Sequence, residues 1–340
     1  MAVGRLSVGL VLVAALHAAA MQPAPNDGDA PQADHAVGFY DPGLQRVVLV
    51  GGAGDPKLGD RDTVSCWSGA AWDVVTNAGP VGRVNAGAAY DAGRGKAIVA
   101  GGSRRTADGA SWEVVGDCWE GDTSGWRHLA DVAPRDHHSL VQDGRGGILM
   151  FGGIPSDRSG PWPGETRRLH DGRWSLVASD GPAPRGRTAM AYDGKRRQVV
   201  LFGGVSAPPG ADRPQTFLGD TWVWNGAGWR KAADDGPPGR YAHGMAFDEG
   251  AGVVLLYGGA AAHRDAPLGD MWQWDGTRWT QIRLSDPTPG HRYQPVMVYD
   301  RARDRTVLYG GIGGPGDTWE WDGRRWRRAA PQADPSRSRR

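Results

Sequence analysis

Short apolar runs, each ended by a pair of glycines, recur along this chain at near-constant spacing. Val47-Val48-Leu49-Val50 leads into Gly51-Gly52, Ile148-Leu149-Met150-Phe151 into Gly152-Gly153, Val199-Val200-Leu201-Phe202 into Gly203-Gly204, and residues 253–257 into Gly258-Gly259. Two more pairs stand at Gly101-Gly102 and Gly310-Gly311, so the intervals are 50, 51, 51, 55 and 52 residues. A period of this length marks repeated supersecondary units. Residues 35–328 hold no 3.6-residue apolar period long enough for a helix, which leaves an all-β array.

The fifth repeat shows the unit clearly. Residues 242–247 alternate small and apolar side chains, Asp248-Glu249-Gly250-Ala251-Gly252 turns the chain, and residues 253–257 form a β-rich run: a hairpin. A polar loop follows. Met271-Trp272-Gln273-Trp274 then alternates with period two, residues 275–278 turn, and Trp279-Thr280-Gln281-Ile282 makes a fourth strand. Six twisted four-stranded antiparallel sheets with apolar residues on both faces must bury those faces against one another. Radial closure into a six-bladed β-propeller does this and leaves only short edges. The predicted blades span residues 35–78, 83–130, 135–178, 185–233, 240–284 and 292–330, each complete in itself, within one domain over 35–330. Fourteen of the sixteen tryptophans fall at repeat positions and are expected to fill the spaces between blades.

The apolar strand ending in Gly-Gly, the Asp-Thr-Trp strand (Asp220-Thr221-Trp222, Asp317-Thr318-Trp319), the spaced tryptophans and the Pro-Arg or Gly-Arg step into the next blade (Pro134-Arg135, Pro184-Arg185, Gly239-Arg240) resemble kelch repeats. The likeness is to the bacterial group related to the galactose-oxidase central domain, and it covers nearly all of residues 35–330. It implies a propeller fold. It implies little about function, because such propellers serve as binding scaffolds and, less often, as enzymes.

Residues 1–20 read as a secretory signal, with Arg5 in a positive start, an apolar stretch over 6–16 and Ala18-Ala19-Ala20 as the cleavage step. Cleavage after Ala20 and a secreted or periplasmic location are expected. The apolar stretch is too short to span a bilayer, so no membrane span is expected. Residues 21–34 and 331–340 lack apolar content and read as a flexible lead-in and tail. With 39 Lys and Arg against 38 Asp and Glu, and no basic stripe outside Arg337-Ser338-Arg339-Arg340, nucleic acid is not indicated. A monomer is expected.

Aligning the residues before each inner-strand Tyr-Asp or Phe-Asp gives three rings at one mouth of the predicted axis. The first holds Arg83, Arg135, Arg185, Arg240 and Arg292, with Ala33 as the sixth, and reads as a structural bond between blades. The second holds His35, Asn85, His137, Arg187, Ala242 and Gln294. These are polar and differ from blade to blade, as a binding site would. The third is Ala36, Ala86, His138, Thr188, His243 and Pro295. Loops after the glycine pairs reach the same face, where Trp112 and Trp162 stand outside the repeat and Phe217 sits in the longest loop. Exposed aromatics stack on sugar rings. Asp41, Asp91, Asp143, Asp193, Asp248 and Asp300 read as turn caps, and the Asp of Asp-Thr-Trp is given the same reading.

Gly311-Ile312-Gly313-Gly314-Pro315-Gly316 matches a dinucleotide fingerprint in letters, but an Asp-Thr-Trp strand follows where a helix is required. No cofactor is expected, and no metal, since the histidines lack carboxylate partners at their level. Cys66 and Cys118 lie in third strands, unlike the cross-linked copper centre of galactose oxidases. Anchoring the first repeat on Asp62-Thr63 allows a Cys66–Cys118 disulfide, whereas anchoring it on Trp67 and Trp72 forbids one; the sequence leaves both registers open. The leading expectation is an exported, non-catalytic protein that binds a carbohydrate or a cell-surface protein partner through Trp112, Trp162, His35, Asn85, His137, Arg187 and Gln294. The alternatives are an epimerase-like sugar-modifying enzyme using His137, His138 and His243, and a structural or adhesive surface protein.

Overall fold

Alternating apolar residues, β-branched runs and Asp-capped turns set four antiparallel strands in every repeat. A computed structural model describes residues 22–23, 35–52, 62–76, 79–80, 82–158, 160–206, 215–261 and 267–329. The expected signal segment, the Ala20 cleavage step and the tail lie outside the described residues, as does most of the expected lead-in, of which only residues 22–23 are described. In the fifth blade the strands are Gly244–Asp248, Val253–Tyr257, Met271–Trp274 and Trp279–Ile282, hydrogen-bonded in that order from the inside outward. The other five blades repeat this order, and in blade 1 a short strand, Gln22–Pro23, adds antiparallel to the outer strand Trp72–Thr76. Their inner strands are Val37–Asp41, Gly87–Asp91, Ser139–Gln142, Ala189–Asp193 and Val296–Asp300. Each inner strand packs beside the next, and that of blade 6 packs beside that of blade 1, so the ring is closed. Among the described residues no helix is long and apolar enough to cross a membrane.

The four predicted strands of each blade come from one contiguous stretch, so no strand is exchanged between blades 1 and 6, and among the described residues side chains hold that closure. Trp72 and Tyr309 meet edge to face at 5.2 Å beside Trp67, Val298 and Val307. The indole Nε1 of Trp72 donates to Thr318 Oγ1 at 2.8 Å, and that of Trp67 to Glu320 at 2.7 Å. The bond from Trp72 is one of a set. Trp229 donates to Thr166 and Trp279 to Thr221, in each case from a fourth strand to the first residue of the third strand one blade back. The Thr of Asp-Thr-Trp is therefore the acceptor of an inter-blade bond.

Trp224–Trp229, Trp274–Trp279 and Trp321–Trp326 pair across strands three and four with ring centroids 5.6 Å apart, and Trp67–Trp72 does so at 5.3 Å. In blade 2, Gly121 takes the first position of the pair. A Cβ there would meet the Trp126 ring at 2.3 Å, so the missing side chain is what lets the indole lie flat on the strand.

The pairing of Trp67 with Trp72 fixes the register of blade 1 and settles the cysteines. Cys66 faces blade 2, among Ala97 and Val99, while Cys118 faces blade 3, among Leu140 and Ile148. They lie on corresponding faces of successive sheets, and both thiols are free. The disulfide allowed by the other register is not formed. Burial pushes both thiols up to about 12. The native chain should leave a maleimide unreacted at neutral pH, and urea should expose two thiols per chain; rapid native labelling, or no thiol after unfolding, would contradict this placement.

Candidate functional site

The face that carries the Gly-Gly loops is built on an arginine clasp. Arg240 donates from Nη1 and Nη2 to the two carboxylate oxygens of Asp270, at 2.7 and 2.8 Å, and from Nη1 to Gly258 O at 3.0 Å. Arg83–Asp117 and Arg185–Asp220 repeat the fork, Arg292 reaches Asp317, and in blade 3 Glu165 replaces the Asp opposite Arg135. The Asp of Asp-Thr-Trp is thus an arginine partner instead of a turn cap, and it also accepts the indole N–H two residues on, as from Trp222 and Trp272. Burial alone would raise the carboxyls of Asp117, Asp220 and Asp270. The bonds from arginine and tryptophan outweigh it and hold all three below the usual range.

Each of these side chains clasps its own blade; the link between blades comes from the same residue's carbonyl. Gly52 N donates to Arg83 O, Gly102 to Arg135, Gly153 to Arg185, Gly204 to Arg240 and Gly259 to Arg292, at 2.8 to 3.1 Å. The second glycine of a pair is obligatory here. Gly102 has φ +94°, and a Cβ on it would meet Val84 O at 2.7 Å.

Two residues beyond each arginine the chain does something the sequence does not advertise. His35, Asn85, His137, Arg187, Ala242 and Gln294 all adopt the left-handed conformation, with φ between 53° and 63°. None is glycine, and each costs roughly 1–2 kcal/mol in that region. Backbone bonds offset the strain. The N–H of Asn85 reaches His35 O, His137 reaches Asn85, Arg187 reaches His137, Ala242 reaches Arg187 and Gln294 reaches Ala242, at 2.6 to 3.4 Å. A belt of main chain thus runs around the axis from blade 1 to blade 6 and presents six side chains of five kinds to one recess.

Those side chains, with the third ring beneath them, line a recess of about 150 Å3. Five of the seven residues expected to bind ligand meet here: His35, Asn85, His137, Arg187 and Gln294. Asn85 Oδ1 lies 2.9 Å from His35 Nδ1 and accepts from Gln294 Nε2 at 3.0 Å, a bridge from blade 2 to blades 1 and 6. His137 Nδ1 stands 3.0 Å from buried Asp136, which also accepts from Ser103 Oγ and Arg158. Burial lowers the His137 pKa, and Arg187 lowers it further against the pull of Asp136. The Arg187 guanidinium lies 5.4 Å over the Tyr241 ring, and Tyr241 in turn stacks on Phe217. Sequence reasoning missed Tyr241; its only signal was an aromatic directly after Arg240.

His138 and His243 lie under the belt, each 5 % exposed, beside the backbone of Ala100 and of Phe202 and with no well-aligned hydrogen bond to either ring nitrogen among the described residues. His138 is wedged against Gly87 and Gly101, where a Cβ would strike it, and His243 meets Phe202 edge-on at 5.5 Å. Burial, followed by the nearby Arg135 or Arg240, pushes each imidazole down to about 3. Both are neutral at ordinary pH.

The two loop tryptophans part company. Trp112 stands on a hairpin of Ser103–Arg105 and Trp112–Val114, 44 % exposed, with the Arg105 guanidinium 4.6 Å over its ring. Trp162 is 7 % exposed and sits in an apolar cluster with Ile154, Val205 and Tyr241. Its ring folds back under the loops, so chain already covers the surface that stacking on a ligand requires. The expectation of a surface platform there gives way to a core role.

A larger cavity, about 200 Å3, opens at the opposite mouth. Tyr40, Tyr90, Gln142, Tyr192, Phe247 and Tyr299, the residues before the turn aspartates, ring it. These aromatics are engaged with neighbouring blades. Tyr299 Oη, for instance, donates to Asp304 and accepts from Gly250 N of blade 5. The smaller recess is the better site because polar side chains line it and some, such as Arg187 at Nε, remain without hydrogen-bond partners among the described residues. Among the described residues no cluster of His, Cys, Asp and Glu has the arrangement of a metal centre.

No protein-family model matches the chain. The search of curated proteins likewise gives no match.

Proposed function

We propose that this chain is an exported kelch-repeat binding protein that recognises a carbohydrate or a cell-surface partner at the axial recess and leaves it chemically unchanged. The observation that carries this reading is the belt of six left-handed residues: alike in backbone, of five side-chain kinds, and convergent. A repeated frame with a variable lining is how a scaffold presents a specific site. Support for the kelch assignment comes from the geometric task that each motif residue performs, the Gly pair, the arginine, and the Asp, Thr and Trp of the third strand. Exposed Trp112, on the same face, is suited to stacking beyond the recess.

A second reading, a sugar-modifying enzyme, draws on the pairing of His137 with Asp136. It is the weaker one. A general base works best with a pKa near the working pH, and His138 and His243, at about 3, are far from it. The test is a broad glycan array probed with the purified chain and with Asn85→Ala and Gln294→Ala variants, the bound glycans being recovered and checked for chemical change. Unaltered hits that weaken at least about tenfold in the variants are expected, from the loss of one or two well-formed hydrogen bonds. Altered glycans would establish the enzyme, and hits indifferent to both variants would move the site elsewhere.

A further inference from the structure

Five arginines of the first ring each have a carboxylate partner; the one arginine of the second ring has none among the described residues. Arg187 stands two positions after Arg185, where its backbone is fixed at both ends by the belt, through its N–H to His137 O and its carbonyl to Ala242 N. Its Nε is buried without a hydrogen-bond acceptor, and its guanidinium is held against the Tyr241 ring. Among the described residues the acid beside the recess is Asp136, which is 1 % exposed and turned to Ser103, Arg158 and His137. Across the recess, Gln294 and His35 carry further N–H groups, and beneath them His138 and His243 complete the wall. A buried donor with no acceptor is costly unless something fills the role.

We propose that the recess is an anion site whose ligand carries a carboxylate, a sugar acid or an acidic glycan terminus, held by the fork of Arg187 with an imidazole or amide N–H beside it. This inference rests on the reading of the recess as a ligand site. The planar guanidinium presents two parallel donors that match a carboxylate's two oxygens. Stacking on Tyr241 fixes its plane, so orientation is set before the ligand arrives. The hydroxyl groups of the sugar then fall to Asn85, Gln294 and His35, whose bridge across the axis can exchange partners without leaving a group unpaired.

The experiment is a calorimetric titration of the purified chain with methyl glucuronide and methyl glucoside, which differ only in a carboxylate against a hydroxymethyl group. The glucuronide should bind at least about tenfold more tightly, the scale of one charge-assisted bidentate contact. Arg187→Gln should abolish that preference, and Arg187→Lys should restore part of it. Glutamine is a safe replacement, since Gln294 occupies the equivalent left-handed position in blade 6. Equal binding of both glycosides, unchanged in Arg187→Gln but weakened in Asn85→Ala, would overturn the anion inference and keep the recess. Binding of neither, with array hits insensitive to Asn85→Ala and Gln294→Ala, would overturn both.

Discussion

Arg240→Met should lower the stability of the chain by about 3 kcal/mol, the lower end of the range for breaking a buried ion pair. Arg240 has no exposed surface, and its loss leaves the Asp270 carboxylate with the Trp272 indole N–H as its remaining side-chain donor and takes a donor from Gly258 O. The loss stays at the lower end because Asp270 retains some contact with solvent, its side chain being 24 % exposed. The contrast is Arg301–Glu249, an equally short pair at 2.6 Å but on the surface. Breaking that one should cost under about 1 kcal/mol. Urea unfolding of Arg240→Met and Arg301→Met separates the two. Equal losses would mean that the clasp is incidental to the blade.

The second large effect is loss of stability in mild acid. His138 and His243 have folded-state values of about 3 against an ordinary 6.5, so the folded chain keeps them neutral while the unfolded chain takes up protons as pH falls below 6.5. Stability is therefore full above that value and drains away between it and about 3. Two such groups give a slope of about 3 kcal/mol per pH unit within the window. The Arg-paired carboxyls act lower. Their depressed values keep their contribution intact until pH falls below the ordinary aspartate value of 3.8. Unfolding measured from pH 7 to pH 4 should show the steep limb in the native chain and a much flatter one in His138→Gln/His243→Gln. An unchanged slope in the double variant would remove these histidines from the account.

Much of the fold was legible because its causes are local. A glycine pair is required wherever the second strand passes under the next blade's arginine carbonyl, as it does at five of the six pairs. An aspartate caps each turn after the inner strand, as Asp41 does for Gly43 N and Leu44 N. Five of the site residues were found the same way, by superposing repeats and asking where polar residues vary. What was not legible depends on partners distant in sequence. The left-handed belt has no glycine to announce it, because its strain is relieved by bonds between blades 50 residues or so apart. Trp162 reads in sequence as a loop aromatic, and only the arrival of Val205 and Tyr241 from later repeats turns it inward. The cysteine faces hung on a one-residue register that Asp62-Thr63 and Trp67 set differently. The aromatic ring at the far mouth was in plain view as Tyr-Asp and Phe-Asp, but an alignment landmark is easily mistaken for nothing more.

The measurement that bears most directly on the central claim is a crystal structure of the chain with a glycan taken from the array. The account predicts density seated in the belt, within hydrogen-bond reach of Arg187 and of at least two among His35, Asn85, His137 and Gln294. A ligand bound instead at the tyrosine-lined mouth, or against Trp112 alone with the belt untouched, would contradict it.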